Sequence, residues 1–262
     1  MTTPPGLSAA VIESGRVVLR KARDTDREGI VDVLTDPEVR AYLGGPRRRE
    51  DIEKFLDQAG TAAATAAAGS YVIADRQADR FAGILGLSRR PAGRPGHVTG
   101  EGGELELSYV LRRDAWGAGL AFEAAMAALH AAAGELPDQP VLVVTQTANH
   151  RARKLASRLG FQETGTFEEY DAQQTLAVAS LGSFRARDQR AANQRSVSPG
   201  TSQADRRPQI SDHAASQASD CHSLGQLQSG DYFPVRRRAL GLPGGAYQAV
   251  MGGSGARESR RG

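Results

Sequence analysis

Cysteine is almost missing from this chain: Cys221 is the only one in 262 residues. A lone cysteine excludes an internal disulfide framework and a cysteine-ligated zinc site. It suits a reducing cytoplasm, which is the expected location. Lysine is nearly as scarce, with Lys21, Lys54 and Lys154 alone, so arginine carries the positive charge. Arginine in place of lysine, with abundant alanine, is the composition of a GC-rich bacterial gene. Aromatic residues make up 5 %, so a core must come from aliphatic side chains and alanine, and at 40 % hydrophobic there are enough of them. No apolar run approaches the roughly 20 residues that cross a bilayer, so no membrane partner is expected. Residues 1–13 lack the basic-then-apolar order of a secretory leader.

The net charge of +3 is unevenly spread. From Arg185 to Gly262 twelve arginines face six acidic residues, which leaves the first 184 residues slightly acidic. Only nine of those last 78 residues are Leu, Ile, Val or Phe, well under the ~20 % below which chains fail to build a core. Burial there cannot repay the entropy of ordering. Residues 185–262 are therefore expected as a low-complexity, basic, disordered tail, 16–184 as the folded domain and 1–15 as a flexible lead-in. The tail's few aromatics and its acidic residues argue against a nucleic-acid partner.

Within the domain the pattern alternates between strands and helices. Val17 to Lys21 is a β-branched first strand. Asp24 or Thr25 can cap a helix that turns Ile30, Val31 and Leu34 inward. Pro37 opens a short helix ending near Gly44-Gly45-Pro46. Glu50 to Ala68 reads as one long helix stopped by Gly69. Tyr71–Ala74 and Phe81–Leu87 are antiparallel strands, and Pro91–Gly103 is an exposed Gly/Pro loop. The alternation of Glu104 to Leu111 predicts a half-buried strand. Gly117–Ala133 and Asn149–Leu159 are helices, and Val141–Thr145, Phe161–Phe167 and Thr175–Leu181 are strands.

The chemistry concentrates between Tyr109 and Ala125, where a strand runs into a glycine turn and a helix starts at once. The first turn of a helix presents unpaired N–H groups and a partial positive charge, a site for phosphate. Small residues at Gly117, Ala118, Gly119 and Ala121 let a pyrophosphate approach the main chain. A Gly-x-Gly turn by itself is common. No Gly-Lys-Ser/Thr follows, so it is no Walker A loop, and earlier strands precede it, unlike a Rossmann fingerprint.

Tyr109, Leu111, Trp116, Gly117, Gly119, Leu120, Ala121, Glu123 and Ala124 together resemble the acetyl-CoA motif of the GNAT N-acetyltransferases, in particular the RimJ/RimL branch. A second block, Asn149 followed by a helix and Leu159-Gly160-Phe161, resembles the family's next motif. Val18-Leu19-Arg20 with Asp24 and Asp26 is similar to its N-terminal block. The resemblance implies an α+β GNAT fold, a central mixed, mostly antiparallel sheet flanked by helices. It implies an acetyltransferase, with acetyl-CoA as co-substrate, no metal, a protein N-terminus or small-molecule amine as acceptor, and a monomer or homodimer. The main chain of Tyr109, Val110 and Leu111 would pair with the pantetheine arm. The amides of Gly117, Ala118, Gly119, Leu120, Ala121 and Phe122 would hold the pyrophosphate. Asn149 would reach the thioester end, and Lys154 or Arg153 the phosphates. Trp116 stands where many relatives have Arg or Gln, and reads as a packing anchor.

Acetyl transfer to an amine needs a base, an oxyanion donor and an acid for the leaving thiolate. Glu104 and Glu106 face one side of their strand, and Glu106 is the candidate base, directly or through water. Many relatives carry a tyrosine where this chain has Ala156, so the acid falls to Tyr109, Ser108 or water, because Ser157 points about 100° away. The residues that vary with the acceptor are Gly44–Arg49, Pro91–Gly103 and Thr166–Gln173. His97 and His150 have no partner at metal-ligand spacing. A non-catalytic acyl-CoA-binding protein is the alternative to an enzyme.

Overall fold

The computed structural model describes residues 6–185; the expected tail lies beyond them apart from Arg185. Twelve regular elements follow one another: β1 (Ile12–Glu13), β2 (Val17–Arg20), α1 (Arg27–Thr35), α2 (Arg49–Ala59), β3 (Ser70–Asp75), β4 (Phe81–Arg89), β5 (Leu105–Leu111), α3 (Leu120–Glu135), β6 (Pro140–Gln146), α4 (His150–Leu159), β7 (Gln162–Glu169) and β8 (Ala172–Ser180). The strands form one sheet in the order β1-β2-β3-β4-β5-β6-β8-β7. Every pairing is antiparallel except that of β5 with β6.

The middle of the sheet is buried on both faces, and strand alternation sorts its side chains. On β3, Tyr71 and Ile73 enter one core with α3 and α4, whereas Val72 and Ala74 enter the other with α1 and α2. On β5, Leu105, Leu107 and Leu111 join the first core and Val110 the second. The inner face of α3 is Ala124, Ala125, Ala128, Leu129, Ala132 and Ala133, whose small side chains let the helix lie close to the sheet.

Four local expectations are corrected. The lead-in is built into the domain from Gly6 onward: Leu7 is buried in the core, β1 pairs with β2, and Tyr71 donates to Ala9 O at 2.7 Å. Neither Asp24 nor Thr25 caps α1; they belong to a short 3-10 turn, and Asp26 instead meets the buried Arg20 in two hydrogen bonds of 2.7 and 3.0 Å. Residues 37–45 form turns rather than a helix, because the Asp36 carboxylate takes the amides of Glu38 and Val39 and the buried Arg40 takes the carbonyls of Leu43 and Gly45. The helix expected over 50–68 ends at Ala59, since Gly60 turns the chain, and a 3-10 segment, Thr61–Thr65, follows. Lys21 then ties this segment down, donating to the carbonyls of Thr65, Ala67 and Ser70 at 2.9 Å each.

Gly69, expected to stop a helix, marks the entry to β3 instead. Its φ is +75°, and a Cβ there would lie 2.1 Å from Leu87 O. Gly69→Ala therefore meets both strain and a backbone clash that no side chain can relieve. It should destabilise the fold by about 2 kcal/mol or more, read as a drop in the denaturant midpoint at unchanged m-value.

Candidate active site

Two strands that part company make the site. β5 and β6 share only two rungs, Leu105 with Val141 and Glu106 with Leu142. Beyond them β5 stays paired with β4 as far as Leu111, and β6 stays with β8 as far as Gln146. One edge of β5 from Leu107 to Leu111 thus faces a gap instead of a strand, with the main chain of Tyr109, Val110 and Leu111 along it. An extended ligand with amide groups can complete such an edge.

At the end of that edge the chain passes through a 3-10 turn, Arg113–Ala115, and reaches Gly117 and Gly119, both at φ +78°. These two left-handed positions turn the chain into the start of α3, whose first amides have no earlier turn to supply carbonyl partners. Glu123 N closes the first turn on Gly119 O at 3.2 Å. A Cβ at Gly117 would meet nothing within 4 Å, so the glycine answers to backbone conformation and not to crowding. Unpaired amides at a helix start are the kind of group that can hold a diphosphate, and here they belong to the cradle of Gly117 to Phe122.

The turn is held from behind. Glu123, in the first turn of α3, accepts from Ser14 Oγ at 2.9 Å and from Arg16 N at 2.5 Å and Nε at 2.7 Å, and Arg16 Nη1 donates to Ala118 O at 2.8 Å. The β1–β2 hairpin therefore buttresses the cradle. Trp116 is partly exposed rather than buried; its Nε1 donates to Leu111 O at 3.0 Å and Arg151 lies over its ring at 5.0 Å. Arg158 lies likewise over Phe122 at 4.9 Å. Arg151 and Arg158, seven residues apart on α4, thus bring positive charge beside the cradle; their shared helical face was the signal in the sequence. Lys154 sits between them and is exposed, whereas Arg153 turns away to Glu163 at 2.8 and 2.9 Å. The Asn149 side chain is used locally, its Oδ1 capping α4 through Ala152 N at 3.1 Å and its Nδ2 donating to Thr145 Oγ1 at 3.2 Å.

Glu106 and Tyr109 lie on opposite faces of β5, as a separation of three residues demands. Tyr109 packs against the core shared with α3 and α4. Its hydroxyl is buried without a partner, and burial pushes its pKa up. On the other face, the fully buried Arg90 donates to Glu106 Oε2 at 3.0 Å, to Glu169 Oε2 at 2.9 Å and to Pro95 O at 2.7 and 2.8 Å. Burial opposes the charge of Arg90, but the two carboxylates outweigh it and raise its pKa. One guanidinium thereby joins the strand carboxylate, the loop after β4 and the β7–β8 hairpin. That loop is no floppy excursion. Glu104 anchors it, Oε1 accepting from Val98 N, Thr99 N and Thr99 Oγ1 at 2.7–2.9 Å and Oε2 lying 2.6 Å from His97 Nδ1. Neither carboxylate is a solvated decoration of the strand. Ala156 is buried and offers no hydroxyl.

Residues 16–162 match the acetyltransferase (GNAT) domain family. The chain belongs to the GNAT acetyltransferases. Members transfer an acetyl group from acetyl-CoA to an amine. Solved structures show the same fold: a GNAT-family acetyltransferase from Bacillus anthracis (17 % identity, 65 % of this chain and 98 % of that one, TM-score 0.53), a GCN5-related N-acetyltransferase from Brucella melitensis (16 %, 72 % and 88 %, 0.55) and an acetyltransferase from Agrobacterium tumefaciens (19 %, 68 % and 99 %, 0.50). The fold of this GNAT domain continues past the matched residues through β8, and Phe184 is buried in its core.

Two outcomes follow. Gly117→Ala should leave the unfolding midpoint within a few degrees but weaken acetyl-CoA about tenfold by calorimetry, because it disturbs the open cradle. Burial works against the charge of Glu104, but its hydrogen bonds from His97, Thr99 and Val98 outweigh this and bring its pKa from 4.5 to about 2. A depressed carboxylate stabilises the fold above its unfolded value and loses that contribution as pH falls. The stability advantage of the native chain over Glu104→Gln should be full above pH 4.5 and vanish toward pH 2, measured by denaturant titration across that range.

Proposed function

We propose that this GNAT domain is an N-acetyltransferase of the RimJ/RimL type, acting on the primary amine of a protein N-terminus or of a small molecule as a monomer or homodimer. The observation that carries the catalytic part is the placement of Glu106 and Tyr109 on opposite faces of a strand whose edge is free beside the phosphate cradle. The branch assignment rests on Trp116-Gly117-Ala118-Gly119-Leu120-Ala121 with Glu123 and Ala124.

Acetyl-CoA, when bound, supplies the acetyl thioester. The β5 edge from Tyr109 to Leu111 would hold its pantetheine amides. The amides of Gly117 to Phe122, with Arg151, Arg158 and Lys154 nearby, would hold its phosphates. Glu106 faces the acceptor side, where the Pro91–Gly103 loop and the β7–β8 hairpin meet. Its carboxylate, oriented by Arg90, draws in the acceptor's ammonium group and removes a proton directly or through water. Tyr109 faces the other way, toward the core beside the cradle, and its unpartnered hydroxyl is the donor for the leaving thiolate. Amine and thiol leave or enter on different sides of the reacting carbon, so opposite faces suit the two roles. Asn149 fixes the start of α4 and would stand near the thioester end of the cofactor.

A second reading, an acyl-CoA-binding protein without turnover, draws on Ala156 and on the engagement of Glu106 with Arg90. Thiol release from acetyl-CoA separates the two when measured with a panel of amines and peptides. Glu106→Gln should lower kcat/KM for the acceptor about 100-fold and Tyr109→Phe about tenfold, with acetyl-CoA affinity retained. Thiol release that is absent throughout the panel, with acetyl-CoA still bound, would favour the binding protein.

A further inference from the structure

The tip of the β7–β8 hairpin carries two local costs in one place. Glu169 pairs with Ala172, so the turn between them has only two residues, Tyr170 and Asp171, at φ +57° and +55°. A two-residue turn with both φ values positive strongly favours Asn-Gly or similar residues. A bulky aromatic held there is a genuine outlier. Tyr170 is 39 % exposed, so no core burial rewards the strain; its ring lies against the Arg94 guanidinium, 5.0 Å from its centroid.

Arg94 carries the second cost. Its Nε donates to Glu169 Oε1 at 3.0 Å, but its Nη2 is shut off from solvent with no hydrogen-bond partner. Leaving a buried charged donor unmade is costly, and such a group in a folded protein calls for an explanation. The two guanidiniums of Arg94 and Arg90 bracket one carboxylate, Glu169, and Arg90 holds Glu106 on its other side. The strained aromatic and the unmet donor are thus linked to the catalytic candidate through one carboxylate, Glu169, and one guanidinium, Arg90. Strain confined to such a spot points to function rather than stability.

We infer that Arg94, with the Tyr170 ring across it, is an acceptor subsite that recognises an oxygen carried close to the reacting amine. The inference rests on the proposed acetylation at Glu106. A guanidinium N–H selects a carbonyl or carboxylate oxygen and offers nothing to a further amine. The preferred acceptor therefore carries a carbonyl or carboxylate oxygen near its amine, as peptides and amino acids do. A polyamine, whose neighbouring groups are cationic, leaves the donor unpaired. Discrimination is strongest when the missing partner leaves a buried donor unmet. The hairpin tip is the part that can shift most cheaply to admit the oxygen, because its resting turn is strained.

The test is steady-state acetylation by the full chain with three acceptor series: peptides with free N-termini, free amino acids, and carbonyl-free amines such as spermidine. Peptides favoured over amino acids identify a peptide carbonyl as the bound oxygen, and the reverse identifies a carboxylate; either supports the subsite. Arg94→Gln should raise the acceptor KM about 10- to 100-fold, more than it lowers kcat, with the KM for acetyl-CoA unmoved and partial rescue in Arg94→Lys. Tyr170→Asn relieves the strained turn, so it should raise the melting midpoint by about 2–4 °C while raising the acceptor KM. A residue with a merely structural role would not move the two in that combination. Equal or better kcat/KM with carbonyl-free amines overturns the subsite and leaves acetyl transfer standing, as does an unmoved acceptor KM in both Arg94→Gln and Tyr170→Asn. Acetyl-CoA bound but no product from any series overturns the acetylation reading along with it.

Discussion

The parallel contact between β5 and β6 lasts two residues, and the rest of the site depends on its being so short. Had the strands stayed paired, β5 would have spent its second edge on β6, and Leu107 to Leu111 would have none to offer. Each strand is kept straight by its antiparallel neighbour, β4 on one side and β8 on the other. The divergence is thus enforced from both flanks. It sends β5 into the glycine turn at the head of α3, and β6 toward the start of α4. The cradle and the free edge become continuous because one strand supplies both.

Charge organises what hydrophobic burial cannot. The two cores position the sheet and helices, but the acceptor side is assembled from residues far apart in sequence. Arg90 reaches Glu106 sixteen residues later and Glu169 seventy-nine residues later. An arginine this deeply buried needs all its partners, since removing one leaves an uncompensated charge in a low-dielectric setting. The same economy operates behind the cradle, where Glu123 gathers Ser14 and Arg16 from 109 and 107 residues earlier in the chain.

This division explains what could be read from the chain beforehand. Periodicity and apolar runs located β2 to β8 and the helices α1, α3 and α4, because alternation on β3 and β5 and the alanine face of α3 are local properties. The glycine turn and Asn149 were legible for the same reason, being short segments with a fixed conformation. The alternation of Glu104 and Glu106 was also visible, but their partners were not. Strand spacing says which way a carboxylate points and nothing of the loop that folds back to meet it. Local propensity misled at Glu50–Ala68, where the alanines favour helix and Gly60 overrides them. It misled again at Pro37–Gly45, where the buried Arg40 claims the carbonyls that a helix would have used. The lead-in was misjudged because Leu7 and β1 are ordered by contacts with distant elements, not by their own composition.

The few lysines have a consequence of their own in a protein that handles an activated thioester. Acetyl-CoA modifies exposed lysine amines without any enzyme, and a domain that concentrates it is the first to be at risk. Lys21 has its ammonium group turned onto three backbone carbonyls, and burial lowers its pKa. With the amine engaged inside the fold, only Lys54 and Lys154 present lysine nucleophiles. Arginine supplies the charge elsewhere, and a guanidinium does not compete with the intended acceptor for the acetyl group.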